Sequence, residues 1–313
     1  MSGLVSVTGG TGFIGLHLVR ALHRSGWRLR LLARRLPVHP AIADIRFELV
    51  TGELRDPMAL ERLVAGADAV VHLAGAIKAT SRREFYAANA EGTAGLARAA
   101  RQAGVGRLVL VSSLAAREPL LSDYAASKRE GEERARREAG PVPWTILRPA
   151  AVYGPWDRET LAIFRLARLG ILPVPGQVTG RLGLIHVQDV AEAILHALAG
   201  EGSGGVHALD DGAPAGHSWP ELAAAAGDAI GRRLRLVRVP AALLRSYGFA
   251  AGGLARLFGR AAMVGPGKVA EMLHQDWSAG ADSFSRDSTW RPAVGLGPGF
   301  AATCQWYRAQ EWL

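Results

Sequence analysis

Through its first half the chain alternates short apolar runs with longer stretches whose apolar positions recur every three to four residues. Residues 4–8, 28–33, 46–50, 69–74, 108–112 and 144–147 read as strands. Between them, residues 13–25, 57–65, 82–103 and 122–138 read as helices. Such alternation predicts right-handed βαβ units around a parallel sheet, an α/β fold with helices on both faces.

The pattern changes after Pro149. Gly154-Pro155, Gly170, Pro173, Pro175-Gly176 and Gly180 punctuate the chain, as expected where it leaves the sheet for a second lobe. Residues 186–198 read as a return: a strand end, then a helix starting near Asp189. A strand is expected at 234–239 and a helix at 300–313. The expected division is a sheet domain of residues 1–150 plus about 184–200. A smaller, interleaved C-terminal lobe of about 151–183 and 201–313 would face the substrate.

With 49% hydrophobic and 21% charged residues, the 313-residue chain has the makeup of a folded core rather than of a disordered segment. Its one cysteine, Cys304, excludes an intrachain disulfide and a cysteine zinc site, and no metal is expected. A reducing cytoplasm is compatible, and residues 1–7 run directly into a strand with no signal-peptide pattern. The net charge of +9 attracts anionic ligands, but no long basic run or aromatic-basic interleaving points to nucleic acid. The most apolar stretch, residues 241–263, is interrupted by Arg245, Arg256 and Arg260. It reads as an amphipathic helix rather than a membrane span, with a peripheral membrane contact left open.

The first motif is Val7-Thr8-Gly9-Gly10-Thr11-Gly12-Phe13-Ile14-Gly15, between a strand and a helix. Gly9 would allow the sharp turn, Gly12 a close approach of backbone to a pyrophosphate, and Gly15 tight helix–strand packing. The helix N-terminus would offer N–H groups and its positive dipole end to the phosphates. This is a Rossmann-type dinucleotide turn.

The spacing Thr-Gly-x-x-Gly-x-x-Gly resembles the short-chain dehydrogenase/reductase family. The resemblance continues through Gly52–Asp56, His72-Leu73-Ala74-Gly75, Asn89 with Gly92-Thr93, Ser112-Ser113 and Tyr124-x-x-x-Lys128. Arg148-Pro149-x-x-Val152-Tyr153-Gly154-Pro155 and His186-Val187-x-Asp189-Val190 complete it. The arginine-proline element and the length look like the extended, epimerase/dehydratase-like subgroup. The chain's end is similar to 3β-hydroxysteroid-dehydrogenase-like oxidoreductases. The resemblance implies a nicotinamide dinucleotide held by Gly9, Thr11, Gly12, Phe13, Ile14, Gly15, Glu53, Leu54, Leu73, Ala74, Gly75, Asn89, Pro149 and Val152, together with Tyr124 and Lys128. Glu53 stands where the family often has an aspartate near the adenine. A homodimer is compatible, since many relatives pair through helices beside the sheet.

The second strand ends Ala33-Arg34-Arg35, without the carboxylate that usually holds the ribose of NAD. A guanidinium can grip a 2′-phosphate, so NADP(H) is favoured, with Arg34 ahead of Arg35; NAD stays open.

Tyr124 and Lys128 lie four apart on an expected helix and share a face. A tyrosine with a pKa of about 10 needs about 4 kcal/mol to trade protons near neutrality. A positive charge near 4 Å supplies about 4 kcal/mol at an effective dielectric of about 20. The family resemblance makes Tyr124 the general acid or base, Lys128 its partner and a ligand of the nicotinamide ribose, and a serine the carbonyl polariser. Ser113 is the first choice for that hydroxyl, but many extended members carry it where this chain has Leu114. The function expected is NADP(H)-dependent reduction of a ketone or oxidation of a secondary alcohol on a small-molecule substrate. A nucleotide-sugar epimerase/dehydratase and a non-catalytic NADPH-binding subunit are the alternatives.

Overall fold

The computed structural model describes residues 3–257 and 264–313, so part of the 241–263 segment lies outside the described residues. The strands are β1 (Leu4–Thr8), β2 (Arg28–Ala33), β3 (Glu48–Thr51), β4 (Ala69–His72), β5 (Arg107–Val111), β6 (Trp144–Pro149), β7 (Ala151–Tyr153), β8 (Ile171–Pro175), β9 (Leu184–His186), β10 (Val206–Leu209) and β11 (Arg235–Val239). The helices are α1 (Phe13–Arg24), α2 (Pro57–Val64), α3 (Arg82–Tyr86), α4 (Gly92–Gln102), α5 (Asp123–Ala139), α6 (Leu161–Arg168), α7 (Val187–Leu198), α8 (Trp219–Ile230), α9 (Ala241–Leu257), α10 (Pro266–Leu273) and α11 (Leu296–Ala309).

The central sheet has seven strands in the order β10-β6-β5-β4-β1-β2-β3. Its pairs from β6 to β3 are parallel. The chain builds outward from β1 to β3, then crosses back to β4. The strand order therefore reverses beside β1, where doubly wound sheets open a crevice at their carboxyl ends. β1 is buried along its whole length, which its sequence Leu-Val-Ser-Val-Thr suits. Its two buried hydroxyls are both satisfied: that of Ser6 donates to Leu63 O at 2.6 Å, and that of Thr8 is bonded to His72.

Local signals set the helices that carry the site. Asp56 caps α2 by accepting from Ala59 N, with Pro57 at the first position. Ser122 caps α5 through Ala125 N at 2.9 Å, which starts the helix just before Tyr124. The stretch expected as one helix at 82–103 contains a π-helical turn at Ala87–Glu91 between α3 and α4. A π turn inserts one extra residue and turns side chains to a new direction. It presses the Asn89 carbonyl onto α5 at Gly131, where a Cβ would collide with it.

The chain forms two compact units. The first comprises residues 1–148, 191–207 and 284–290; the second comprises 149–190, 208–283 and 291–313. These bounds differ from the sequence-based ones. β9 pairs with β7, which puts 184–190 in the second unit. Phe284 returns to pack its ring on His207, 5.3 Å between centroids, and Trp290 on Phe284, which brings 284–290 into the first unit. Trp290 thus belongs to the sheet unit. The second unit holds β7–β9, β8–β11 and a core of Tyr153, Phe164, Leu222, Phe300 and Tyr307. Asp189, near which a helix start is expected, receives the N–H groups of Ala293 and Val294 at 2.9 and 3.0 Å.

Candidate active site

At the reversal point the glycine turn closes against β4. Gly9 has φ +73°, and a Cβ there would lie 2.6 Å from Ala74 N. A Cβ at Gly15 would collide with Gly9 O, so this glycine lets α1 start against the turn. Gly12 differs: a Cβ would meet only Gly9 O, at 3.4 Å, and otherwise open space. Gly12 is the N-cap of α1, with no side-chain cap and no acid in the first turn. Thr11 and Gly12 are exposed, while Phe13 and Ile14 are half-buried. This end of α1 therefore presents N–H groups and a positive dipole to an anion, and a dinucleotide pyrophosphate fits.

Arg34 and Arg35 follow β2, both exposed and neither paired with an acid among the described residues. Glu53 is exposed and lies 3.4 Å from Arg55. Leu54, also in the loop after β3, packs where Gly92 leaves room for it. Leu73 N donates to Thr8 O at 3.1 Å, which lays Leu73, Ala74 and Gly75 along the turn.

Behind that edge runs a buried hydrogen-bond chain that sequence reading missed. Thr93 Oγ1 donates to Asn89 O at 2.8 Å, so it accepts from His72 Nε2, also at 2.8 Å. His72 Nδ1 then accepts from Thr8 Oγ1 at 2.6 Å, and Thr8 Oγ1 accepts from Ala74 N at 3.3 Å. The donor order fixes a neutral Nε2–H imidazole. Burial, then the Lys128 charge, lowers the His72 pKa to about 3. In the unfolded chain histidine titrates near 6.5. Between those values the unfolded state binds a proton that the folded state refuses. The stability from neutral His72 is therefore complete above about pH 6.5 and lost as pH falls toward 3. Urea denaturation at pH 6.5 and 4.5 should show a loss of about 1.4 kcal/mol per pH unit that a His72→Asn protein lacks. Equal slopes would remove His72 from this role.

Asn89 ties the π turn to α5, the helix that carries Tyr124 and Lys128. Its Oδ1 accepts from Ala76 N at 2.7 Å, and its Nδ2 donates to Ala76 O and to Ser127 Oγ, each at 2.9 Å. Ser127 Oγ in turn donates to Tyr124 O at 2.8 Å. A Cβ at Gly75 would stand 2.8 Å from Asn89 Oδ1 and 3.8 Å from Lys128 Nζ. Gly75, Asn89 and Lys128 thus share the carboxyl end of β4.

Lys128 Nζ donates to Val111 O, the last carbonyl of β5, at 3.1 Å. Loss of water around the ammonium lowers its pKa to about 8, against the opposing pull of Glu132. Glu132, one turn further on, is buried and holds Arg148 through two hydrogen bonds of 2.9 and 2.5 Å. Sequence reading saw Arg148 as part of a motif and missed Glu132 altogether. The signal was a carboxylate four residues after Lys128 on the same helix face. Tyr124 is half-buried, its ring edge-on to Phe85 at 6.1 Å.

Ser113 is half-buried, and its hydroxyl accepts from Ala115 N at 3.2 Å to cap a short 3₁₀ turn. The next residue, Leu114, is buried. Ser112 Oγ is buried with no hydrogen-bond partner among the described residues. Pro149 and Val152, expected at the cofactor, fall in the second unit. In that unit Asp157 is buried and accepts from Thr160 N and Oγ1 at 3.0 and 2.5 Å, and Arg158 lies over Trp312 at 4.9 Å. Among the described residues there is no group of three metal-ligating side chains.

Residues 5–207 match the family described as NAD dependent epimerase/dehydratase. The chain belongs to that family. It is an NAD(P)-dependent reductase of the extended short-chain dehydrogenase/reductase type, and its cofactor is a nicotinamide dinucleotide. A protein of Caulobacter vibrioides named ceramide reductase is 45% identical over 312 residues, covering 99% of this chain and 96% of the relative. Among solved structures, gox2253 superposes with a TM-score of 0.79 at 25% identity over 100% of both chains. A dTDP-glucose 4,6-dehydratase of Streptomyces venezuelae with NAD bound gives a TM-score of 0.75 at 25% identity, covering 98% of each chain.

Proposed function

We propose that this family member uses NADPH to reduce a ketone carried by a long-chain amide lipid of the ceramide class. What carries the substrate class is the end-to-end 45% identity with the protein named ceramide reductase. A ceramide's amide carbonyl is stabilised by resonance and resists hydride, so the reducible group is a ketone that becomes a secondary hydroxyl. When bound, the dinucleotide supplies the hydride. Tyr124 gives its phenol proton to the carbonyl oxygen, and the Lys128 ammonium stabilises the phenolate left behind until solvent reprotonates it. Ser113 uses a lone pair for Ala115 N, which leaves its O–H to polarise the carbonyl. Arg34, with Arg35 beside it, takes the 2′-phosphate.

The test is turnover of a ceramide whose secondary hydroxyl has been oxidised to a ketone, followed by mass spectrometry of the alcohol. NADPH should be preferred to NADH. Arg34→Ala should cut the ratio of kcat/KM for the two cofactors about tenfold, the value of one charge-assisted contact of about 1.4 kcal/mol. An unchanged ratio removes Arg34 from specificity, and failure to reduce the ketone removes the lipid reading.

A further inference from the structure

We propose that α9, with the arginine-rich strand leading into it, is a docking surface for an anionic lipid bilayer. The helix has two apolar sides. Gly248 and Gly252 are buried, and a Cβ at Gly248 would lie 2.7 Å from Val269 Cγ2 on α10. The other side is bare. Leu243, Tyr247 and Leu254 are 62%, 58% and 60% exposed; Phe249, 68% exposed, lies on the flank nearer Arg245 and is no part of that side. Steps of four and seven residues align Leu243, Tyr247 and Leu254 in one stripe, with exposed Ala250 between them. The only charged residue from Ala241 to Leu254 is Arg245. Two positions after Leu243, it projects from the far side of the helix. Single exposed apolar residues are ordinary on a folded surface; a continuous stripe of this kind calls for a partner.

The charge pattern selects that partner. From Gly231 to Ala270 the chain has eight arginines and lysines and no acid, so nearly all of its net charge of +9 lies in this one segment. Arg232, Arg233, Arg235 and Arg238 are all exposed and lead through Pro240 into α9. A second copy of the chain seated on the stripe would bring like charges together. An anionic bilayer neutralises them while taking the apolar side chains into its interface.

The full-length protein is mixed with vesicles of equal phosphatidylglycerol and phosphatidylcholine, or of phosphatidylcholine alone, and sedimented. This readout needs no turnover, so it stands or falls apart from the lipid-ketone reading. Binding to the anionic vesicles should exceed binding to the neutral ones by about fivefold or more, and fall severalfold when salt rises from about 0.05 to about 0.5 M. Leu243→Glu/Tyr247→Glu/Leu254→Glu should lower the bound fraction about tenfold, with circular dichroism and NADPH binding unchanged. Should that variant not fold, Arg233→Gln/Arg235→Gln, which leaves the stripe intact, should lower binding to the anionic vesicles about fivefold or more. The proposal is overturned if the wild type ignores anionic vesicles at low salt, or if the folded variants bind as the wild type does. It is also overturned if the wild type binds no vesicles and is a dimer that the triple variant turns into a monomer, which would assign the stripe to a second copy.

Discussion

Tyr124→Phe should lower kcat for ketone reduction by about 10²- to 10⁴-fold, the usual worth of a positioned general acid. The substitution removes one oxygen and keeps the ring that meets Phe85 edge-on at 6.1 Å. It leaves the glycine turn, the uncapped end of α1 and Lys128 in place, so on the proposed reading, in which phosphate and ribose contacts carry the affinity, NADPH should bind within about threefold of the wild-type affinity. Fluorescence titration of NADPH beside single-turnover rates separates the two effects. A variant that still reduces the ketone within about tenfold of wild type would pass the proton to another group, and Ser113 or the buried Ser112 hydroxyl would be next to test.

Much of the sheet was legible because its signal is local. β1, β2, β5 and β6 are apolar runs bounded by turns, and each lies within two residues of its expected place. β3 shifts to Glu48–Thr51 because exposed Arg46 opens the predicted run at a position the sheet does not reach. The three-residue strands β7 and β9 were not resolved as such; runs this short carry no periodicity. The π turn hides inside a good helical pattern, and its contact at Gly131 lies on another element about 40 residues away in sequence.

The site divides along similar lines. The glycine turn and the Tyr124–Lys128 pair can be read because their partners are neighbours in sequence. The Thr8–His72–Thr93 chain joins three elements across 85 residues of sequence, and only the fold brings them together. The same holds for Glu132 and Arg148. The choice between Ser113 and Leu114 turned on one residue of register at a strand end. The structure gives that end a 3₁₀ turn capped by the half-buried Ser113, with the buried Leu114 as its first residue.

Glu132→Gln should carry the largest stability cost among conservative changes near the site, about 3–5 kcal/mol, because it strands the Arg148 guanidinium in a buried place. Chemical denaturation measures that loss. A merely structural pair would show nothing more, so the decisive readout is the pH profile. Lys128 has a pKa near 8, lowered by burial and supported by the Glu132 charge. Removing that charge lowers the pKa further, so less of the ammonium survives at a given pH above neutrality. The alkaline limb of kcat for ketone reduction should then move to lower pH. In the double variant Glu132→Gln/Arg148→Met no charge is stranded, and most of the stability should return. Its alkaline limb should stay displaced, since the carboxylate that supports Lys128 is still missing. If stability and the limb recover together, Glu132 only holds Arg148; if the limb alone stays displaced, Glu132 is a positioning residue that sets the charge of Lys128.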